Sequence, residues 1–514
     1  VMALTKRTSV LFNPSRPHRF QCRVSILFFL LATAPSQCNA FVGTIPAIKE
    51  YRAIINGGRI ATTLNVCHER SSSSCSCTGT SSSGSFQDKG RCDDTDASQK
   101  YLSRRNVLKS AGTMLGIAGG WIGSCGGNDA TAATALAETD AMKRRTYFQR
   151  FPTLFDPIFG ESMRETAKYQ ITENIWTFEQ NLVLGPLETP LRCVVIRLKD
   201  GTLWVHAPLA PTDEFFELVE SCAGPEGGPD LIAHVVAPTY ALEHKVFVKD
   251  AMARWPNAKL WTSPGQFSFP IKSISESFIW GRNVNGVLGD SDETHNDIPW
   301  VDEIQYETLA AGTFYIGGAK QTFFETAFYH KADKMLIVTD SVAQIPLNPP
   351  PLNNADKLLL VSKRSTADDM PADTKEARQV GWEKTSLLVS YFFPEHEEPD
   401  TDAGLGVVTW TDGWHDNFKF LAGRLIVPPV VRTLLYAEDP GEVRRWVDRV
   451  VRRWEFEMII PAHWEAPIQA SAREFENAFA FLEDNTIDAF PVKDTERGLK
   501  PIADIALGRL SDKR

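Results

Sequence analysis

Between Leu231 and Pro264 two apolar runs, LIAHVVAP and AKLWTSP, flank the amphipathic stretch LEHKVFVKDAMARW. The order reads as strand, helix, strand, and such a β-α-β unit favours a layered α/β fold. Neighbouring segments extend it. Upstream, CVVIRL and LWVHAP flank KDGT, and Asp-Gly is a strong two-residue turn signal, so this pair is a predicted hairpin. PTDEFFELVE then carries acids in its first turn, where they suit a helix dipole. Downstream, GTFYIGG, TFFETAFYH and KMLIVTDSV read as strands, with KADK as the turn between the last two. Antiparallel strands are thus mixed with the α/β unit, and the fold class expected is α/β (α+β). Late in the chain Val443, Trp446, Val447, Val450, Val451 and Trp454 recur at helical spacing and leave an Arg-rich face to solvent. EFEMIIPAH is a strand ending in a histidine, and SAREFENAFAFL is a closing helix. No internal repeat of solenoid type is visible.

These patterns begin only at about Arg150. The 514 residues exceed one typical domain, and 43% apolar content suits a sizeable core. Charge divides the chain: Val1 to Ala137 holds 15 Lys plus Arg against 7 Asp plus Glu, so of the totals 54 and 64 the rest keeps 39 against 57. The leading part is therefore +8 and the remainder −18. An acidic globular part disfavours nucleic acid or anionic membrane surfaces as its main partner. An unidentified small molecule or protein is the expected one. Seven of the nine cysteines precede Ala137 and only Cys193 and Cys222 follow, so no disulfide framework is implied for the folded part. Cys75 and Cys77 lie in SSSSCSCTGTSSSGS, a Ser-rich tract that reads as disordered linker rather than a metal site.

The first third reads as addresses. Arg16, Arg19 and Arg23 precede VSILFFLLA, which ends in CNA before Phe41, the layout of a secretory signal over residues 1–40. The apolar run is too short to span a bilayer as a mature helix. A phenylalanine at the new N-terminus, ahead of a Ser- and Arg-bearing stretch, resembles the bipartite presequences of algae with secondary plastids. Within 41–137 a further signal follows: adjacent Arg104 and Arg105 in SRRNVLK, the segment SAGTMLGIAGGWIG, and an Ala-Leu-Ala site at Ala135 to Ala137. That is a twin-arginine export layout. In series the signals imply the plastid and then the thylakoid lumen, with the folded domain over 150–514. Replacing Arg104 and Arg105 by Lys is expected to block the final export step, read by fractionation; unchanged delivery removes the twin-arginine assignment.

Three strand ends present metal-ligand residue types: Glu243 and His244 after VVAP, Asp340 after KMLIVT, and His463 after EMIIPA. Each sits where the chain turns, which is where α/β folds place their sites. Histidine with carboxylate suits zinc, iron or manganese, and no Cys ligand is present to favour softer metals. Structural readings stand beside this one. Asp340 could cap a turn, Glu243 could be a first-turn helix acid, and His244 and His463 could be core histidines satisfied by hydrogen bonds. His234, inside an apolar strand, reads as core. No P-loop, G-x-G-x-x-G after a strand, G-x-S-x-G elbow or CxxC pair occurs beyond Ala137.

In order and context these motifs resemble the metallo-β-lactamase superfamily. The shared parts are a strand–loop–helix bearing the histidine motif, FYHKADKMLIVTD as a hairpin strand ending in aspartate, and IIPAH as a late P-x-H strand. Within it, LWVHAPLAPTDE, VVAPTYALEHK, RWPNAKLWTSPG and WEFEMIIPAHWEAP are most similar to the domain-of-unknown-function 4336 family of photosynthetic organisms, over roughly Trp176 to Leu482. The resemblance implies an αββα metallo-β-lactamase-like sandwich with its site at one edge of the paired sheets. Laid over TYALEH, the superfamily motif His-x-His-x-Asp-His puts its first two histidines on Thr239 and Ala241, its aspartate on Glu243 and its last histidine on His244. The first metal position has thus lost its ligands, and where a third histidine is expected Gln321 and Glu325 are the nearest polar residues. The second position survives as Glu243, His244, Asp340 and His463, enough for one zinc, iron or manganese ion or for none. His206 stands where relatives keep an aspartate that braces the site, so it is expected either to orient a ligand by hydrogen bonding or to be structural. A single metal can lower the pKa of bound water to about 7. The reading that follows is a metal-dependent hydrolase of unidentified substrate, and the alternative is a non-catalytic binding or assembly protein. A redox role ranks third, because the first-site ligands are missing.

Overall fold

In the computed structural model the described residues are 138–149, 160–225, 227–266, 276–289, 298–316, 319–400, 402, 407–484, 487 and 490–506. The expected signals over 1–40 and 41–137 and the Cys75 and Cys77 tract lie outside them. The described residues fall in one compact unit. Its packing extends upstream of 150, since Tyr147 is buried against Phe247. Among the described residues no helix is long and apolar enough to cross a membrane.

One sheet has seven strands in chain order: β1 (Ala167–Gln170), β2 (Ile175–Leu184), β3 (Leu187–Arg197), β4 (Leu203–His206), β5 (Ile232–Ala237), β6 (Lys259–Thr262) and β7 (Gly286–Val287). The first four are antiparallel, and β4 to β7 run parallel. The other has five: β8 (Ile304–Ile316), β9 (Ala319–His330), β10 (Met335–Ile337), β11 (Met458–Ile460) and β12 (Ile468–Gln469). Here only β10 and β11 are parallel. The helices that matter are α1 (Asp213–Glu220), α2 (Val248–Arg254), α3 (Ala355–Ser362), α4 (Lys375–Tyr391), α5 (Trp414–Leu421), α6 (Pro440–Arg453) and α7 (Ala472–Ala478).

Side chains that alternate along the strands sort into layers. Val194, Ile196, Trp204, Val236 and Trp261 of the first sheet meet Tyr306, Phe328, Met335, Ile337 and Ile460 of the second in one intersheet core. Their neighbours Cys193, Val195, Val205, Val235 and Leu260 face the other way, under Phe215, Val219, Val248 and Met252 of α1 and α2. On the far side Leu336 and Ile459 pack beneath Val443, Trp446, Val447 and Val450 of α6 and Phe475 of α7. The layers are therefore helix, sheet, sheet, helix, the αββα sandwich. The local signals explain the elements. Thr212 caps α1 by accepting from the Phe215 amide, Gly201 takes the left-handed φ of 85° in the β3–β4 turn, and Ser471 with Glu474 forms a capping box on α7. The arginines of α6 pair with acids, Arg444 with Asp448, Arg445 with Glu442, and Arg449 and Arg453 with Glu307, so that face is a paired surface.

One element differs from expectation. The helix expected over 242–255 begins only at Val248, preceded by a 3-10 turn at Leu242–His244, because hydrogen bonds linking residues 238 and 240 to β9 hold the chain at the sheet edge just before that turn. The long connection from Asp340 to α6 is itself a packed lobe. Trp382, Leu388, Tyr391, Trp410, Phe418 and Leu421 form its core, and Leu184, Leu187 and Trp464 join it, so it flanks the sheet edge where His463 lies. Gly381 lets α4 approach α3 there: a Cβ would lie 2.0 Å from the Leu358 carbonyl oxygen.

Candidate metal centre

Parallel pairing of β10 with β11 sends both chains toward one edge, where Asp340 and His463 follow. The loop after β5 reaches the same edge: Tyr240 N donates to Phe324 O at 3.0 Å and Thr326 N to Pro238 O at 2.8 Å, stitching that loop to β9. Glu243, His244, Asp340 and His463 thereby converge, each offering one ligand atom within 4.8 Å of the others. His244 Nε2 lies 3.3 Å and His463 Nε2 3.4 Å from Asp340 Oδ1, and the two rings meet edge to face with centroids 5.0 Å apart.

The second nitrogen of His463 settles its tautomer. Nδ1 is 2.9 Å from the Pro190 carbonyl, which can only accept, so Nδ1 bears the hydrogen and Nε2 turns its lone pair to the cluster. Burial holds His463 down to about 4 and lowers His244 as well, keeping both rings neutral at pH 7. Burial also raises the carboxyls of Glu243 and Asp340. Neutral imidazoles facing two largely buried carboxylates form a donor set that fits one divalent ion, two nitrogens and two oxygens.

Other groups fasten these ligands. Arg192, 1% exposed, binds Glu179 through Nε at 3.0 Å and Nη2 at 2.6 Å. It also donates to Pro461 O, and to Trp464 O at 2.6 Å, the carbonyls on either side of His463. Trp464 itself is held in the left-handed region at φ 63° and packs against Trp382. Glu325, fully buried, accepts on Oε1 from the backbone amides of Thr339, Asp340 and Ser341 at 3.0, 3.1 and 3.2 Å. Burial, with the nearby Asp340, raises its carboxyl to about 7.

The remaining sequence candidates fall out as follows. Thr239 donates from Oγ1 to Phe324 O. His206 ends β4 and is buried, but its ring stacks on Trp204 and lies edge-on to Phe328, and neither nitrogen has a hydrogen-bond partner. The orienting hydrogen bond to a ligand is therefore not formed; aromatic packing fixes that ring instead. His234 is a satisfied core residue, accepting from Trp261 Nε1 on Nδ1 at 3.1 Å. Cys193 and Cys222 are both free and buried. Sequence reasoning missed Arg192 and gave Glu325 no bracing role. The available signal in each case was a charge among uncharged neighbours, Arg192 in PLRCVV and Glu325 in FFETAF.

Residues 172–481, more than half of the chain, match the model of the family described as Domain of unknown function (DUF4336). No curated protein matches the chain. Among solved structures it is similar to a metallo-beta-lactamase from Pontibacter korlensis, at 10% identity over 62% of this chain and 100% of that one, TM-score 0.28. It is also similar to the flavodiiron protein from Giardia intestinalis, at 13% identity over 63% and 60%, TM-score 0.31. A third is the metal-soaked Flv1 flavodiiron core from Synechocystis, at 9% identity over 62% and 61%, TM-score 0.32. The architecture above stands on this chain's own sheets and cores.

Proposed function

Since this chain belongs to the family described as Domain of unknown function (DUF4336) and keeps four convergent ligand groups at one sheet edge, we propose that it is a single-metal hydrolase. The observation that carries the reading is that cluster: two imidazoles and two carboxylates within 4.8 Å. Glu243, His244, Asp340 and His463 would hold a zinc, iron or manganese ion, which supplies Lewis acidity for attack on an electrophilic substrate. The chain's own residues do the orienting. The Pro190 carbonyl fixes the His463 tautomer, Arg192 holds both carbonyls beside that histidine, and Trp464 is anchored against Trp382 of the neighbouring lobe. Thr239 and Ala241 offer no second ion a ligand set, so nucleophile positioning falls to one centre.

Burial of the centre also supports the alternative of a non-catalytic binding protein, because the side chains of His463 and Asp340 are only 15% and 14% exposed. Activity separates the two. Zinc- or manganese-loaded protein is expected to hydrolyse at least one of a panel of β-lactam, thioester and phosphodiester substrates, with loss of rate on chelation and in His463→Ala. Stoichiometric metal with no turnover on the whole panel favours the binding reading. Delivery to the thylakoid lumen is supported by the serial signals in the sequence, and the Arg104 and Arg105 substitutions test it.

A further inference from the structure

We infer that Glu325 is the positioning residue that couples the two ligand loops, holding Asp340 in place for the ion. This deepens the single-metal reading and rests on it. One carboxyl oxygen, Oε1, collects three consecutive amides, those of Thr339, Asp340 and Ser341. Three donors converging on one oxygen fix the backbone of the turn, and with it the direction in which the Asp340 side chain leaves it. The backbone around Glu325 grips the other loop. It forms an isolated antiparallel bridge to Thr239, with Phe324 O accepting from Tyr240 N and Thr326 N donating to Pro238 O. Three residues of β9 therefore set the spacing between the loop bearing Glu243 and His244 and the turn bearing Asp340.

The geometry separates reach from charge. Two substitutions are paired for that reason: Glu325→Gln keeps an acceptor at the same reach without the charge, whereas Glu325→Asp keeps the charge and withdraws it by one methylene. Cobalt(II) is the probe, titrated into the full chain and followed by its visible absorption, which reports ligand geometry as well as affinity. Glu325→Gln is expected to bind within about threefold of the wild type with the same spectrum. Glu325→Asp is expected to bind at least about tenfold more weakly with an altered spectrum. Wild-type binding by Glu325→Asp, or equal weakening in both variants, overturns the inference. Hydrogen exchange on the unsubstituted, metal-free protein checks the brace without any variant. The amides of Thr339, Asp340 and Ser341 should be protected, and exchange at the rate of an open loop overturns it. A wild type that binds no cobalt refutes the single-metal reading instead, and the three amides still report on the brace.

Discussion

Arg192→Met is expected to destabilise the fold by about 3–5 kcal/mol, because it leaves Glu179 as an uncompensated charge inside the protein. Thermal unfolding followed by circular dichroism should show a fall on the order of 10 °C. The same change releases Pro461 O and Trp464 O, the two carbonyls that Arg192 holds beside His463, so metal affinity should fall as well. These two consequences can be separated. In Arg192→Met with Glu179→Met the buried charge is gone from both partners, and an apolar pair of similar volume recovers most of the stability. The carbonyls remain unheld, so the metal affinity should not recover. Recovery of both together would mean that Arg192 serves the fold alone.

Asp340→Ala is expected to act in the opposite sense on the two states of the protein. Without metal, Asp340 is a buried carboxyl raised by desolvation, and removing it should leave the melting temperature unchanged or slightly higher. With metal, the oxygen that lies nearest to both histidines is lost, and affinity should fall by about 100-fold or more. Linkage converts this into a melting experiment. An ion at about 1,000 times its dissociation constant adds about 4 kcal/mol to stability, and after a loss of about 100-fold the same concentration adds about 1.4 kcal/mol. Wild-type protein should therefore melt lower after chelation, and the variant's shift should be about a third of the wild type's. An Asp340→Ala protein with a wild-type response to chelator would place the ion elsewhere.

What was legible in the sequence follows from what local chemistry dictates. Apolar runs such as LIAHVVAP and KMLIVT mark buried strands, and the polar residues that end them mark the edge where the chain turns, so Glu243, His244, Asp340 and His463 could be read before their convergence was seen. The hairpin at Lys199 to Thr202 and the apolar face of α6 were legible for the same local reasons. Long-range contacts were not. Arg192 meets Pro461, a residue 269 positions away, and nothing near it in the chain announces that partner. Glu325 reads as a polar residue on a strand until its carboxyl is seen to collect the amides of a turn fourteen to sixteen residues on. His206 was open between orienting a ligand and a structural role, and it is the structural one that its surroundings favour, since Trp204 and Phe328 pack on its ring. The start of α2 was misplaced because tertiary stitching of residues 238–240 to β9 overrides helix propensity across Leu242–His244.

That one ion sits on Glu243, His244, Asp340 and His463 is tested most directly by the metal content of purified full-length protein. The protein is loaded with zinc or manganese, freed of excess ion and analysed by elemental mass spectrometry beside Asp340→Ala. About one equivalent is expected in the wild type, in keeping with a four-ligand set, and much less than one in the variant. No bound metal, or the same content in both proteins, would contradict the assignment.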